Sequence, residues 1–244
     1  MGRTKWPHLS CEDEIIRSEI NEMCRSGKTI KIIDAGCGTG DRLKNILENS
    51  RIDRRKIKSI YGLDFAKKML SVARKQKYYG RPLYDGLLET DLRQSAGQYR
   101  GNLILCLWGV LNGVIYDRSS IFEKLKKLCA NDGLIIFDII STKRLSLLKK
   151  KESLLLNIHQ DLKPFGNRET LWYSRNDSTI GYTKLFTADE CNRCISSIGM
   201  MYKTVWGYNI RNPKPQIITQ YTPSIPLSAD QEYDIFLVSI MQRS

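Results

Sequence analysis

The stretch IKIIDAGCGTGD, residues 30–41, constrains the fold of this chain more than any other segment. Its opening residues, Ile-Lys-Ile-Ile, predict a short buried strand. Three glycines at alternate positions then interrupt regular structure and allow backbone turns that other residues resist. After Asp41, apolar side chains at 43, 46 and 47 fall on one helical face. The stretch therefore predicts a strand, a glycine-rich turn and a helix whose first N–H groups attract negative charge.

The spacing of the glycines selects among nucleotide cofactors. A phosphate-binding loop needs Lys and then Ser or Thr after its last glycine, whereas Asp41 and Arg42 follow here. The dinucleotide fingerprint is G-x-G-x-x-G, whereas this turn has G-x-G-x-G with Asp34 two residues before it. A carboxylate at this place is a poor neighbour for a pyrophosphate. It suits a ligand that carries an ammonium and a sulfonium.

This pattern resembles the first motif of the class I S-adenosylmethionine-dependent methyltransferases, an acid followed by x-G-x-G-x-G. The matching residues are Asp34, Gly36, Gly38 and Gly40, and Cys37 lies inside the motif. The resemblance implies S-adenosyl-L-methionine as the cofactor and these five residues as part of its site.

Two later acids follow predicted strands. The segment YGLDFAKKML resembles the second motif of the family, which implies that Asp64 binds the ribose hydroxyls, with a helix N-cap as the alternative. Asp91 resembles the acid that meets the adenine amino group, with an ordinary loop aspartate as the alternative. The resemblance also implies apolar cofactor contacts, for which core packing is the rival account; they are Phe65, Leu92 and Leu107.

The run LILCLWGVLNGV, residues 103–114, occupies the place of the family's fourth motif. It lacks the Asn or Asp followed by Pro-Pro and an aromatic residue that is common in enzymes acting on exocyclic base amines. Trp108, Gly109 and Asn112 resemble the looser pattern of small-molecule enzymes and of some wobble-uridine tRNA enzymes. We expect Trp108 and Asn112 to contact the acceptor, and core packing is an equal interpretation of Trp108.

Strand and helix patterns alternate from residue 28 to 140, which predicts a doubly wound, mostly parallel sheet with its ligand at the carboxyl ends of the strands. The resemblance implies a seven-stranded Rossmann-like α/β fold with the last strand inserted antiparallel. We expect one methyltransferase domain, 1–244, carrying an inserted helix and β-hairpin cover at 141–186. A long proline-containing loop is predicted at 212–230.

No catalytic residue follows from the cofactor motifs, because the sulfonium already activates the methyl group and alignment is the main task. His8, His159 and Tyr173 are candidates for a general base. Trp172 and Tyr173, on the predicted hairpin, are candidates for binding a planar or cationic acceptor. Surface exposure of the histidines and simple packing of the aromatic residues are the commoner alternatives.

The net charge of +13 and the pI of about 9.4 favour anionic partners such as RNA, or else a solvated basic surface. The chain has seven scattered cysteines, which predict reduced thiols in a cytoplasmic compartment. It has no signal segment and no membrane-length apolar run, so we expect no association with a membrane. The pair Cys191 and Cys194 reads as two helix cysteines, and we expect no metal site. The sequence does not fix an oligomeric state.

Together these patterns predict a methyltransferase that uses direct nucleophilic displacement on a small-molecule acceptor, such as a metabolite or natural-product intermediate. Three alternatives stay open. They are an RNA methyltransferase, chiefly for tRNA; transfer of another group from a modified S-adenosylmethionine; and a cofactor-binding subunit without catalysis.

Overall fold

The computed structural model describes residues 7–48, 52–92, 99–113, 118–143, 163–164, 170–175, 179–209 and 212–242. The helices are α1 Pro7–Arg25, α2 Asp41–Glu48, α3 Lys67–Ala73, α4 Arg118–Leu128, α5 Ala188–Ser197 and α6 Ala229–Glu232. The strands are β1 Ile30–Ala35, β2 Ile57–Asp64, β3 Lys77–Tyr78, β4 Arg81–Pro82, β5 Gly86–Glu89, β6 Gly101–Cys106, β7 Cys129–Ile140, β8 Lys163–Pro164, β9 Thr170–Arg175, β10 Thr179–Lys184, β11 Met200–Asn209, β12 Asn212–Thr222 and β13 Ile235–Gln242.

The main sheet has eight strands in the order β12-β11-β13-β7-β6-β1-β2-β5. The five from β7 to β5 run parallel, as predicted, because helices cross over between them. β13 lies between β7 and β11 and is antiparallel to both, which confirms the inserted last strand. β1 lies at the switch point, where Asp34 is opposite Gly62 on one side and Leu105 on the other.

The eighth strand corrects one prediction. The predicted loop 212–230 instead contains β12, which pairs antiparallel with β11 at the sheet edge. Prolines suggested a loop, but an edge strand tolerates proline because one row of its N–H groups needs no partner. Residues that alternate toward solvent, such as Ile217 and Tyr221, stay exposed on this edge.

Helices cover both faces of the parallel strands, so neighbouring β1 residues enter different cores. Ile32 packs with Ile16 of α1 and Leu43 of α2. Ile33 packs in a second cluster with Phe122 of α4 and with α5. Apolar runs in β1 and β6 therefore reflect burial on both faces. No helix in the described ranges is long and apolar enough to cross a membrane.

The segment after β7 leaves the sheet and returns to the same place. Ser141 forms a parallel bridge with Phe186, whose N–H donates to the carbonyl of Ile140 at 2.9 Å. Between them, β8, β9 and β10 form a small antiparallel sheet, and β10 lies beside the 3₁₀ turn Leu111–Gly113. The two predicted hairpin strands are confirmed, whereas the helix predicted at 142–162 falls outside the described residues.

A small hairpin replaces the last part of a predicted helix. The apolar pattern at 65–77 suggested one helix, but α3 ends at Ala73 and β3 then pairs with β4. Tyr79 and Gly80 form the turn, with φ of 48° and 76°. Two positive φ values match the twist of a two-residue hairpin, so this turn closes the strands tightly.

Candidate functional site

The glycine turn, residues 36–40, is held by the end of β2. The N–H groups of Gly36 and Cys37 both donate to the carbonyl of Leu63, at 2.7 and 3.0 Å. The N–H of Gly40 then donates to the carbonyl of Cys37 at 2.9 Å. These bonds fold the backbone back on itself directly before α2, as the sequence predicted.

The three glycines of the turn are required for different reasons, although each has a positive φ. A Cβ at Gly36 would lie 2.5 Å from Cγ2 of Val110, and one at Gly40 would lie 2.8 Å from the ring of Tyr84. A Cβ at Gly38 would meet nothing within 4 Å. Protein packing therefore fills two sides of the turn, and the side at Gly38 is left open for a ligand.

Asp34 lies beneath the turn, 7% exposed, and its carboxylate accepts a 2.6 Å hydrogen bond from the hydroxyl of Tyr84. Burial raises the pKa of Asp34 to about 6, against the hydrogen bond from Tyr84 and the charge of Arg42, which lower it. Asp34 is therefore ionised at neutral pH but close to its titration range. Tyr84 was not predicted, because nothing in its local sequence shows that it reaches a strand fifty residues earlier.

Asp64 closes the turn from the other side. One of its carboxylate oxygens accepts the N–H of Gly38 and the other accepts the N–H of Ala66, both at 2.8 Å. The residue is 8% exposed. Asp64 thus ties the open corner of the glycine turn to the start of α3, whose N-cap, Ala66, has no side-chain hydrogen bond. The predicted ribose contact stays a prediction, now with a structural role beside it.

Two large aromatic side chains are exposed on either side of the end of β1. Phe65 follows β2 and is 77% exposed, and Trp108 follows β6 and is 64% exposed. Core packing was the rival explanation for both residues, and this exposure excludes it. Most aromatic residues of this size are buried, and this exposed pair lies at the carboxyl ends of parallel strands, where sheets of this class bind their ligands.

Trp108 is held in an unusual conformation by Asp138 of β7. The backbone φ of Trp108 is 69°, in the left-handed region that side chains resist. The carboxylate of Asp138 accepts the N–H of Trp108 at 2.7 Å and that of Gly109 at 2.6 Å. Two charge-assisted bonds to one carboxylate therefore fix residues 108–110, which we call the Trp108 loop.

Asp138 belongs to a buried ion network that also contains Arg42, Glu12 and Asp13. The guanidinium of Arg42, on α2, donates to Asp138 at 3.0 Å, to Glu12 at 2.5 Å and to Asp13 at 3.2 Å. All four side chains are less than a tenth exposed. The network therefore connects α1, the helix after the glycine turn and the Trp108 loop.

Three carboxylates share the one guanidinium of this network, and the pKa of Glu12 is raised. Burial raises the pKa of Glu12 to about 8, with Asp138 and Asp13 adding to the shift and Arg42 opposing it. The sequence did not predict the network, because its members come from three distant segments. Ser10 and Asp13 have the spacing of a capping box, which predicts a helix start at Ser10, but α1 begins at Pro7 and Asp13 faces Arg42.

Asn112, a predicted acceptor contact, has a structural role. The side chain is 1% exposed, donates to the carbonyl of Ile140 at 3.2 Å and accepts the N–H of Ile140 at 2.9 Å. This burial argues against a contact with the acceptor, and it gives Asn112 the role of joining the 3₁₀ turn to β7. Leu107, 7% exposed, belongs to the core, whereas Asp91 and Leu92 are partly exposed beyond β5.

The remaining predicted residues cannot be placed by side chain. His8 lies in the first turn of α1, and Trp172 and Tyr173 lie in β9, where only the backbone is described. His159 falls outside the described residues. The predicted catalytic and acceptor roles of these four residues stay predictions.

The cysteines add no reactive group to the site. Cys37 is partly buried beside the turn, and burial raises the pKa of its thiol well above the ordinary value. Cys191 and Cys194 are buried core residues of α5, as predicted. Within the described ranges, no group of three or more His, Cys, Asp or Glu side chains could hold a metal ion.

The chain is similar to known proteins in structure, although the sequence identity is low. No family model matches the chain, and no curated protein matches it. A structure of an S-adenosylmethionine-dependent methyltransferase from Clostridium acetobutylicum shares 15% identity over 100% of this chain and 93% of that one, with a TM-score of 0.63.

Two further structures carry more specific descriptions. A sugar N-methyltransferase from Streptoalloteichus is 13% identical over 96% of this chain and 88% of that one, with a TM-score of 0.57. An amino pentose methyltransferase from Micromonospora echinaspora, bound to S-adenosylmethionine, is 12% identical over 95% of this chain and 91% of that one, with a TM-score of 0.53. The chain therefore has the fold of the class I S-adenosylmethionine-dependent methyltransferases.

Proposed function

We propose that this protein binds S-adenosyl-L-methionine at the glycine turn and transfers its methyl group to a small-molecule acceptor. The observation that carries the proposal is the arrangement around the end of β1. The open corner at Gly38, the buried carboxylate of Asp34 and the exposed ring of Phe65 all lie at the carboxyl ends of β1 and β2. The carboxylate suits an ammonium group, and the open backbone and the aromatic ring suit an adenosine, so together they suit S-adenosyl-L-methionine.

Each residue has a distinct task in this proposal. Asp34, ionised above about pH 6, attracts the ammonium group of the cofactor. Asp64 keeps the lone pairs that it does not give to Gly38 and Ala66, and these accept the ribose hydroxyls. Phe65 covers one face of the adenine. The cofactor supplies a methyl group made electrophilic by the adjacent sulfonium.

The Trp108 loop is assigned to the acceptor side. It follows β6, the neighbour of β1 on the side away from β2, and the insert strand β10 passes beside it. Trp108 presents a large apolar and π surface on which an acceptor is aligned and from which water is displaced. Asp138 holds that surface in place, so Asp138 is a positioning residue with no contact to reacting atoms.

A small acceptor is favoured by the insert and by the similar structures. The inserted segment, 141–186, starts and ends beside the Trp108 loop, where a cover would enclose a small substrate. Two of the similar structures are described as methyltransferases of an amino sugar and of a sugar nitrogen. An amine on a small polar molecule is therefore the first acceptor to test.

The test has a binding part and a turnover part. Calorimetry should detect S-adenosylhomocysteine and no NAD, and Phe65→Ala should weaken the former about tenfold, the loss of one stacking contact. Tyr221→Ala is the matched control, because Tyr221 is also 62% exposed but lies on β12. Binding of NAD without S-adenosylhomocysteine would refute the cofactor assignment.

Turnover is measured as S-adenosylhomocysteine release with a panel of amino sugars and with bulk tRNA. Release with an amino sugar supports the proposed acceptor class. Release with tRNA alone would establish the second candidate, RNA methylation, which the net charge of +13 favours. Tight cofactor binding without turnover on any acceptor would support a non-catalytic subunit. Turnover only when a modified S-adenosylmethionine is supplied, with a product heavier than the methylated acceptor, would show transfer of another group.

A further inference from the structure

A cavity lies away from the glycine turn, at the start of β2. It has a volume of about 910 Å³ and is bounded by the 3₁₀ turn Arg54–Lys56, the first residues of β2 and the β3–β4 hairpin. We call it the basic cavity. Tyr84 forms part of its wall with one side of its ring, while the hydroxyl of Tyr84 reaches Asp34 under the glycine turn.

The charge on its walls is strongly positive. Four cationic side chains line the basic cavity, and the one carboxylate among the lining residues is Asp85. The Asp85 carboxylate accepts the N–H of Ile60 at 2.7 Å. Arg55 is paired with Asp53 through two bonds of 3.0 and 3.1 Å, which leaves Arg54, Lys58 and Arg81 as the main positive groups.

Aromatic rings are built into the same walls. Tyr79 is 65% exposed at the tip of the hairpin, and its backbone φ of 48° holds it there against the usual preference. Its ring packs against Tyr78 with centroids 4.7 Å apart. The guanidinium of Arg54 lies over the Tyr78 ring, 5.2 Å from its centre, and also donates to the carbonyl of Ile57 at 2.9 Å.

We propose that the basic cavity binds a nucleotide, with its phosphate at Lys58 and Arg81 and its base against Tyr79. Cations alone would attract any anion, but an exposed ring set among them selects a ligand that is both anionic and planar. The nucleotide is either a free molecule or one unit of a single-stranded RNA, since both present the same phosphate and base. This proposal does not depend on the proposed methyl transfer.

The experiment measures fluorescence anisotropy of a short labelled uridine-only RNA, with unlabelled uridine monophosphate as competitor. S-Adenosylhomocysteine is present in excess, so that the adenosine site is occupied. The double variant Lys58→Glu/Arg81→Glu should weaken RNA binding more than tenfold. Tyr79→Asn should weaken it about tenfold, because stacking is lost while asparagine still accepts the left-handed backbone.

The matched control is Lys124→Glu/Lys127→Glu, which reverses two charges on α4 on another surface. It should bind RNA nearly as well as the unchanged protein, and equal thermal midpoints would show that all variants fold. Competition by the mononucleotide at similar concentration identifies a free nucleotide as the ligand, whereas much tighter RNA binding identifies RNA. Equal losses in the α4 control, or no binding to either probe, would overturn the proposal.

Discussion

The two segments that flank the end of β1 are held in different ways. The glycine turn is fixed mostly by backbone hydrogen bonds to Leu63, with Asp64 closing the open corner. The Trp108 loop is fixed by one carboxylate, Asp138, which is itself held in a buried ion network. One side therefore depends on short-range backbone geometry and the other on long-range charge.

The two ways of holding these segments respond differently to pH. Backbone bonds to the neighbouring strand change little with pH or salt, so the backbone of the glycine turn keeps its shape. The ion network carries three carboxylates for one guanidinium, and burial makes the state of Glu12 depend on pH near neutrality. The position of the Trp108 loop therefore depends more on pH than the backbone of the glycine turn does, although the ion network that holds the loop is buried.

The largest expected effect is that of Asp138→Ala. The change leaves the guanidinium of Arg42 with one carboxylate fewer and the N–H groups of Trp108 and Gly109 without their acceptor. Breaking a buried pair in this way costs about 3–5 kcal/mol, measured by urea unfolding. Asp132→Ala, which breaks a surface pair with Lys28 at another point of β7, should cost about 0–1 kcal/mol. Similar losses in both variants would remove the contrast between the two sides.

A smaller loss of stability is expected for Asp64→Ala. The carboxylate accepts two backbone N–H groups, and its removal lowers the unfolding free energy by about 2 kcal/mol. S-Adenosylhomocysteine affinity should fall in addition, by more than tenfold. The control is Asp85→Ala, which removes one backbone hydrogen bond in the same part of the sheet. If affinity falls equally in both variants, Asp64 acts only by holding the turn.

The pH dependence of stability sharpens the comparison. The pKa of Glu12 is raised to about 8, so the folded protein keeps a proton that the unfolded chain releases near pH 4.5. The stability from this proton is present at low pH and is lost as pH rises through about 8. Unfolding free energy should therefore fall by about 2 kcal/mol between pH 6 and pH 8. Glu12→Gln should remove most of that slope and leave the smaller contribution of Asp34, whose pKa is raised to about 6. An unchanged slope would contradict the assignment.

On the cofactor side, Tyr84→Phe should cost about 1 kcal/mol of stability, because one hydrogen bond to Asp34 is lost. That bond lowers the pKa of Asp34, so its loss raises the pKa further above about 6. The decline of S-adenosylhomocysteine affinity on acidification should then begin at a higher pH. Tyr233→Phe, which loses an exposed bond to Gln216, should leave the profile unchanged. Identical pH profiles for the unchanged protein and both variants would show that Asp34 does not bind the ammonium group of the cofactor.

The smallest effect is expected for Trp108→Asn. Asparagine accepts a left-handed backbone more readily, and the indole is mostly exposed, so stability should stay equal or rise by about 0.5 kcal/mol. Tyr221→Asn should behave similarly, because Tyr221 also has a positive φ. Methyl transfer should fall in the first variant alone. Equal activity in both would show that Trp108 does not contact the acceptor.

The cofactor side could be predicted from the sequence because its determinants are local. A strand, three spaced glycines and a helix follow one another within residues 30–48, and each conformation is set by nearby residues. The ion network could not be predicted in this way. Arg42 and Asp138 are 96 residues apart, and only the strand order brings them together.

Two other features that the sequence did not reveal have equally physical causes. β12 was read as a loop because its prolines are excluded from central strands, and the sequence did not show that it lies at an edge. Asn112 resembled an acceptor contact because polar residues after a strand end are often functional. Its amide instead completes the hydrogen bonding of Ile140, a role that depends on a strand formed later in the chain.

The bridge between Ser141 and Phe186 has a consequence for how this fold can diversify. An insertion whose two ends are already paired closes no additional loop in the sheet, so its length and composition can change without moving β7 or α5. Such a segment can be exchanged as a unit. If the segment covers the acceptor as proposed, exchanging residues 144–184 for the equivalent segment of another enzyme would change the acceptor while the sheet and the glycine turn keep their contacts.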